Sequence, residues 1–150
     1  MNIFRMSGLC GLAAVSLACT SDGVFGPSLS HATATSSCGP NDGPAVAIYL
    51  ATKPVNPLEP SPPYFRIAIW QPVDRLEGRS WTVGGEDADA AAWHHPNTSE
   101  FEVATGGTVR VDEVNGAQTI EGSVDVTFSG SGRVRREFRA SWIPRTTLCG

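Results

Sequence analysis

The chain has no surplus of positive charge. Its 11 Lys and Arg stand against 15 Asp and Glu, a formal net charge of -4, and its pI is near 5.3. A protein that neutralises phosphates needs a basic stripe or patch, so nucleic acid is excluded as a partner. No apolar run approaches the ~20 residues of a membrane-spanning helix. No segment carries a helical stripe long enough to build a second layer, which excludes α/β and helical-bundle architectures. There is no Gly-x-Ser-x-Gly elbow to strain a serine nucleophile. Of the 3 histidines, His31 lies far from the other two, and adjacent His94 and His95 point to opposite faces of an extended chain, so no pair sits at ligand spacing. Glu86-Asp87-Ala88-Asp89 has alternating carboxylates but lacks the glycine and terminal Glu of a calcium loop, and reads as a solvated acidic turn. No catalytic set, metal site or cofactor is therefore read from the residues.

What is present begins with an address. Residues 1–18 hold one Arg and then an uncharged run from Gly8 to Ala18, the pattern of a secretory signal peptide. Ser16-Leu17-Ala18-Cys19 places small residues where signal peptidase cuts. Leu17-Ala18-Cys19 also resembles a bacterial lipobox, with Ser16 where that family usually has Leu and Leu17 where it usually has a smaller residue. The resemblance implies lipidation of Cys19, which becomes an acylated N-terminus and a membrane partner. Thr20 follows in place of the aspartate associated with inner-membrane retention. The expected location is the cell envelope, at the outer membrane or in the periplasm of a Gram-negative cell and extracellular otherwise. Without lipidation, Cys19 is the first residue of a soluble secreted chain.

Four cysteines are present. Cys10 leaves with the signal and Cys19 is assigned to lipid, so Cys38 and Cys149 remain as an even pair in an oxidising compartment, where a disulfide is expected. Residues 19–37 are small, polar and aperiodic, and read as a flexible tether to a single β domain over 38–150.

Beyond Gly39 the dominant period is two, the signature of half-buried strands. Val46, Ile48 and Leu50 share one face of a first strand, and Phe65, Ile67 and Ile69 one face of a second. The prolines between them remove too many backbone donors for a paired strand and mark a stiff loop. A short strand is expected around Trp81, and the alanine-rich 86–93 suggests one or two helical turns. Asn115-Gly116 is a two-residue hairpin signal; it would set Val111 opposite Ile120, Val109 opposite Gly122 and Arg110 opposite Glu121. Ser129-Gly130-Ser131 sets a second hairpin, with Val126 opposite Val134, Gly122 beneath Phe138, Asp125 beside Arg135 and Glu121 beside Arg139. Arg136 is then the inward misfit. The fold class is all-β: an antiparallel β-sandwich or small closed barrel of about six to eight strands, its ends joined by the disulfide.

Gly107-Thr108-Val109, Ile120 to Phe128 and Phe138-Arg139-Ala140 resemble the strand signature of small uncharacterised bacterial lipoproteins. The resemblance implies a fold and a compartment, and supplies no catalytic residue.

The candidate ligand-binding residues are the aromatics and the adjacent imidazoles: Trp70, Trp93, His94 and His95. The favoured function is an exported, lipid-anchored envelope domain with a non-catalytic binding or structural role and a protein or glycan partner. One alternative is a small secreted hydrolase or metal-dependent enzyme using His94 or His95 beside a carboxylate. The other is a barrel whose small inward residues, Gly122 and Ala140, leave room for an apolar ligand.

Overall fold

The computed structural model describes residues 29–95, 99–116 and 118–149, without the side chains of 89–93. The expected signal segment 1–18 and the lipidation residue Cys19 lie outside these residues. Eight strands follow one another: β1 His31–Cys38, β2 Pro44–Ala51, β3 Tyr64–Ile69, β4 Arg79–Thr82, β5 Ala88–His94, β6 Phe101–Asn115, β7 Thr119–Phe128 and β8 Gly132–Trp142. The described residues contain a single 3-10 turn, Val73–Arg75, and no helix long and apolar enough to cross a membrane.

All eight strands join one mixed sheet in the order β4-β6-β5-β3-β2-β1-β8-β7, which curls until β7 also pairs with β6. Every pairing is antiparallel except β1 with β8, which is parallel. The expectation of a purely antiparallel sheet is corrected at this seam. β8 and the segment after it run in the same direction as β1, toward the Cys38–Cys149 disulfide, whose Cα atoms are 5.6 Å apart.

The concave side of the sheet holds the core. Val46, Ile48, Leu50, Phe65, Ile67 and Ile69 from β2 and β3 meet Val109, Val111, Ile120, Val124, Val126 and Phe128 from β6 and β7, all essentially fully buried. The two-residue periodicity places these groups inward strand by strand. Leu76, just after the 3-10 turn, and Trp81 on β4 join the same core. A second, smaller cluster covers the convex side of β2 and β3, where Ala47, Tyr49, Ala51 and Tyr64 pack with Val55 of the proline-rich loop.

Two local expectations are corrected. Residues 31–37, read as part of the tether, form most of β1. Their small polar composition hides an alternation in which Ala34 enters the core and the hydroxyls of Thr35 and Ser36 bind the C-terminal segment. The alanine-rich stretch is strand β5, paired with β3 on one side and β6 on the other. Alanine's helical propensity is a weak preference, and two ladders of backbone hydrogen bonds override it.

The second hairpin has the expected register throughout: Val126 opposite Val134, Gly122 opposite Phe138, Asp125 opposite Arg135 and Glu121 opposite Arg139. The first does not. In it Asn115 lies opposite Thr119 and Val114 opposite Ile120. The register then shifts between Val111 and Glu113, leaving Asp112 as a bulge, and Val111 falls opposite Gly122 and Val109 opposite Val124. The bulge has a packing reason. Without it, Val114 would point away from the side occupied by Val109 and Val111; with it, Val114 packs against the same core. Arg110 consequently pairs with Asp112 at 2.5 Å and not with Glu121.

Candidate functional site

The predicted binding residues fall at two ends of β3. Trp70 follows its last residue, and His94 pairs opposite Tyr64, its first. A strand of this length separates them by ~20 Å, so they do not form one site.

At the far end, Trp70 lies in an open cleft of about 400 Å³. The tight turn after β1 makes one wall: Gly39 N donates to Gly43 O at 2.8 Å, and Asp42 takes a φ of 55°. Aspartate is among the few residues besides glycine that enter this left-handed region at modest cost. The turn lays Gly39 against the indole, where a Cβ would stand 3.3 Å from Trp70 Cδ1. Pro72, which precedes the 3-10 segment, and Arg75, its last residue, also line the cleft. Trp70 N donates to Asp87 O at 3.0 Å, which fixes the acidic turn beside the ring. Gln71 Nε2 reaches Asp87 Oδ1 at 3.5 Å. The cleft thus gathers three segments far apart in sequence around one half-buried Trp, a mixed polar and apolar composition typical of small-ligand sites.

At the near end, His94 stacks on Tyr64 with ring centroids 4.3 Å apart and on Phe101 at 5.5 Å. Tyr49 meets Tyr64 edge-on at 5.5 Å. These four rings make a row across β2, β3, β5 and β6 on the convex side. Burial, then the nearby Arg66 guanidinium, push the His94 imidazole below its ordinary pKa. Burial also raises Tyr64, followed by Tyr49, against a smaller opposing effect of Arg66. The row ends at Phe101, 58% exposed, with Val103 at 45% further along the same strand.

His95 is half-buried and its backbone N–H donates to Glu100 O at 3.2 Å. Trp93 lies opposite Phe65 and Glu102 in the backbone pairing, and its side chain is outside the described part. Among the described residues no three His, Cys, Asp or Glu side chains converge as metal ligands would. The room beside Gly122, expected in the carrier alternative, is taken by Phe138, whose Cζ stands 3.0 Å from the point a Cβ at Gly122 would occupy.

Sequence reasoning found Trp70 but not its neighbours. The walls of the cleft come from residues 39–44, 71–75 and 86–87, which only the fold brings together. It also missed Glu102, whose carboxylate on β6 accepts hydrogen bonds from the β7–β8 turn: from Ser129 Oγ at 3.1 Å, Gly130 N, Ser131 N at 3.1 Å and Ser131 Oγ at 2.5 Å. The Ser131 hydroxyl above all, then the Gly130 amide, hold the Glu102 carboxyl below the usual carboxylate range. This is an architectural fastening, made by a residue whose position on β6 gives no hint of a partner on another strand. No protein-family model, curated protein or solved structure matches this chain.

Proposed function

We propose that this protein is an exported, lipid-anchored domain of the bacterial cell envelope that binds its ligand in the Trp70 cleft without catalysis. The observation that carries the reading is the Cys38–Cys149 disulfide, a crosslink that persists in oxidising compartments. It fits the signal-like 1–18 and the lipobox-like Leu17-Ala18-Cys19. The cleft supports the binding role, because Trp70 and prolines line it beside polar side chains, with no Ser, Thr, Cys or His among the described lining residues. The pairing that leads from β6 through β5, β3, β2, β1 and β8 to β7 and back to β6 supports a further detail, that the curled sheet is a small closed barrel. A closed barrel leaves few edges to pair with other chains, a useful property at a crowded surface.

The test is fractionation of cells expressing the whole chain. The wild type should be found with membranes and carry a lipid-modified Cys19, while Cys19→Ala should move to the soluble exported fraction with its disulfide intact. Membrane association unchanged by Cys19→Ala would overturn the anchor, and retention of both forms inside the cell would overturn export.

A further inference from the structure

We propose that the Trp70 cleft binds a saccharide, neutral or carrying amino-sugar substituents, an inference that rests on the reading of this cleft as the binding site. A pyranose offers two unlike surfaces. Its C–H-rich face packs on an aromatic ring, and its rim of hydroxyls, each both donor and acceptor, needs partners of both kinds. The cleft supplies both. Trp70 is the apolar element, and Gly39 lies against its pyrrole edge, where a larger residue would crowd the ring.

Around the indole, Asn41 and Gln71 offer amide donors and acceptors, Arg75 only donors, and Glu86 and Asp87 only acceptors. Among the described residues, Asn41, Arg75 and Glu86 make no side-chain hydrogen bond or ion pair, and the Gln71–Asp87 contact is long at 3.5 Å. Planar polar groups are thus left with capacity to spare around a single ring. Charge argues for the same ligand class. One guanidinium against two carboxylates disfavours a phosphate or another anion. A proline-rich peptide would need an aromatic-lined groove, whereas this cleft has one indole. Its volume of about 400 Å³ lies in the range of sites that hold small ligands.

The test uses the purified protein labelled with 5-fluorotryptophan, whose Trp70 resonance is identified by its loss in Trp70→Phe. A panel of neutral, amino and uronic-acid oligosaccharides and a polyproline peptide are titrated to millimolar concentration. The expected result is a saturable shift of the Trp70 signal by a neutral or amino saccharide, weakened about tenfold in Arg75→Ala or Glu86→Gln. Both are exposed positions, and the remaining fluorotryptophan signals report that the fold is kept. A shift caused by the peptide alone would overturn the saccharide assignment, and one caused by the uronic acids alone would overturn its restriction to neutral and amino sugars; either would leave the cleft as the binding site. No shift with any probe would overturn both.

Discussion

The two seams that flank β8 are built in opposite ways. Toward β7 the ladder is long and regular, from Thr119 opposite Ser141 to Phe128 opposite Gly132. It joins consecutive strands through a three-residue turn. Toward β1 the described register holds only Thr33 opposite Ser141 and Ala34 opposite Trp142, in parallel, between the two ends of the domain. The chain beyond β8 then leaves the ladder and is fastened along β1 by other means. Ile143 N donates to Ala34 O at 2.8 Å, Thr35 Oγ1 to Ile143 O at 2.8 Å and Ser36 Oγ to Arg145 O at 2.5 Å, before the disulfide is reached. Local pairing costs little loop entropy and specifies itself. Pairing across more than a hundred residues does not, and here it is supplemented by hydroxyls and a covalent bond.

The largest test removes that bond. Replacing Cys38 and Cys149 together with Ser should lower stability by about 2–5 kcal/mol, read as a shift in the urea midpoint. Hydrogen exchange should show the loss at the weaker seam: the Ile143 amide opens well before those of β7. Simultaneous loss of protection at Ile143 and along β7 would mean that the seams form one cooperative unit, and the contrast between them would fail.

The next test breaks the stronger seam. Gly122 is confined twice: a Cβ would stand 2.0 Å from Arg110 O on one strand and 3.0 Å from Phe138 Cζ on the other. Gly122→Ala should therefore cost about 1–3 kcal/mol in thermal or denaturant unfolding. Shortening the ring with Phe138→Leu should not restore the loss, because the backbone carbonyl remains. Full rescue would place the constraint in the side chain alone.

That glycine also shows how far sequence can be read. The Phe138 contact was legible, because hydrophobic parity and opposite charges fix the β7–β8 register: Arg139 meets Glu121 at 3.3 Å, and Asp125 meets Arg133 at 2.6 Å and Arg135 at 3.8 Å. The Arg110 carbonyl was not, since it depends on the Asp112 bulge, and an extra residue leaves no mark at Val109 and Val111, which face the core in either register. Arg136 is inward by parity, as expected, and sits half-buried opposite Val124 with Nη1 donating to Arg135 O at 3.2 Å. Cys38 and Cys149 were legible by counting. β1 was not, because alanine, serine and threonine compose strands and tethers alike. The Trp70 cleft was legible only in its tryptophan, because its walls come from turns that tertiary structure alone assembles.

A smaller effect is expected at Glu102, which fastens β6 to the β7–β8 turn. Glu102→Gln keeps the shape and removes the charge that the Ser131 hydroxyl and Gly130 amide stabilise, and should cost about 1 kcal/mol at this solvent-facing position. The folded pKa lies below the unfolded value of ~4.3, so the contribution is fully present above that value and is lost as pH falls through the folded pKa. Unfolding curves between neutral and acid pH should show the wild type losing its advantage over Glu102→Gln. A constant difference across that range would deny the carboxylate this role.

The smallest test concerns the register of the first hairpin. Glu113 lies directly opposite Glu121, a like-charge pair on the face where Glu121 also meets Arg139. Directly opposed like charges are mildly destabilising, and opposite ones stabilising, each by roughly 0.2–1 kcal/mol. Glu113→Arg should therefore raise stability by a few tenths of a kcal/mol at low salt, with the gain shrinking as ionic strength rises. Had a two-residue turn at Asn115-Gly116 placed Arg110 opposite Glu121, position 113 would sit away from that carboxylate and the substitution would be silent. The sign of the change, together with its salt dependence, separates the bulged register from the unbulged one. It also ties the bulge to the packing of Val114, because the shift that sets Glu113 against Glu121 is the one that turns Val114 into the core.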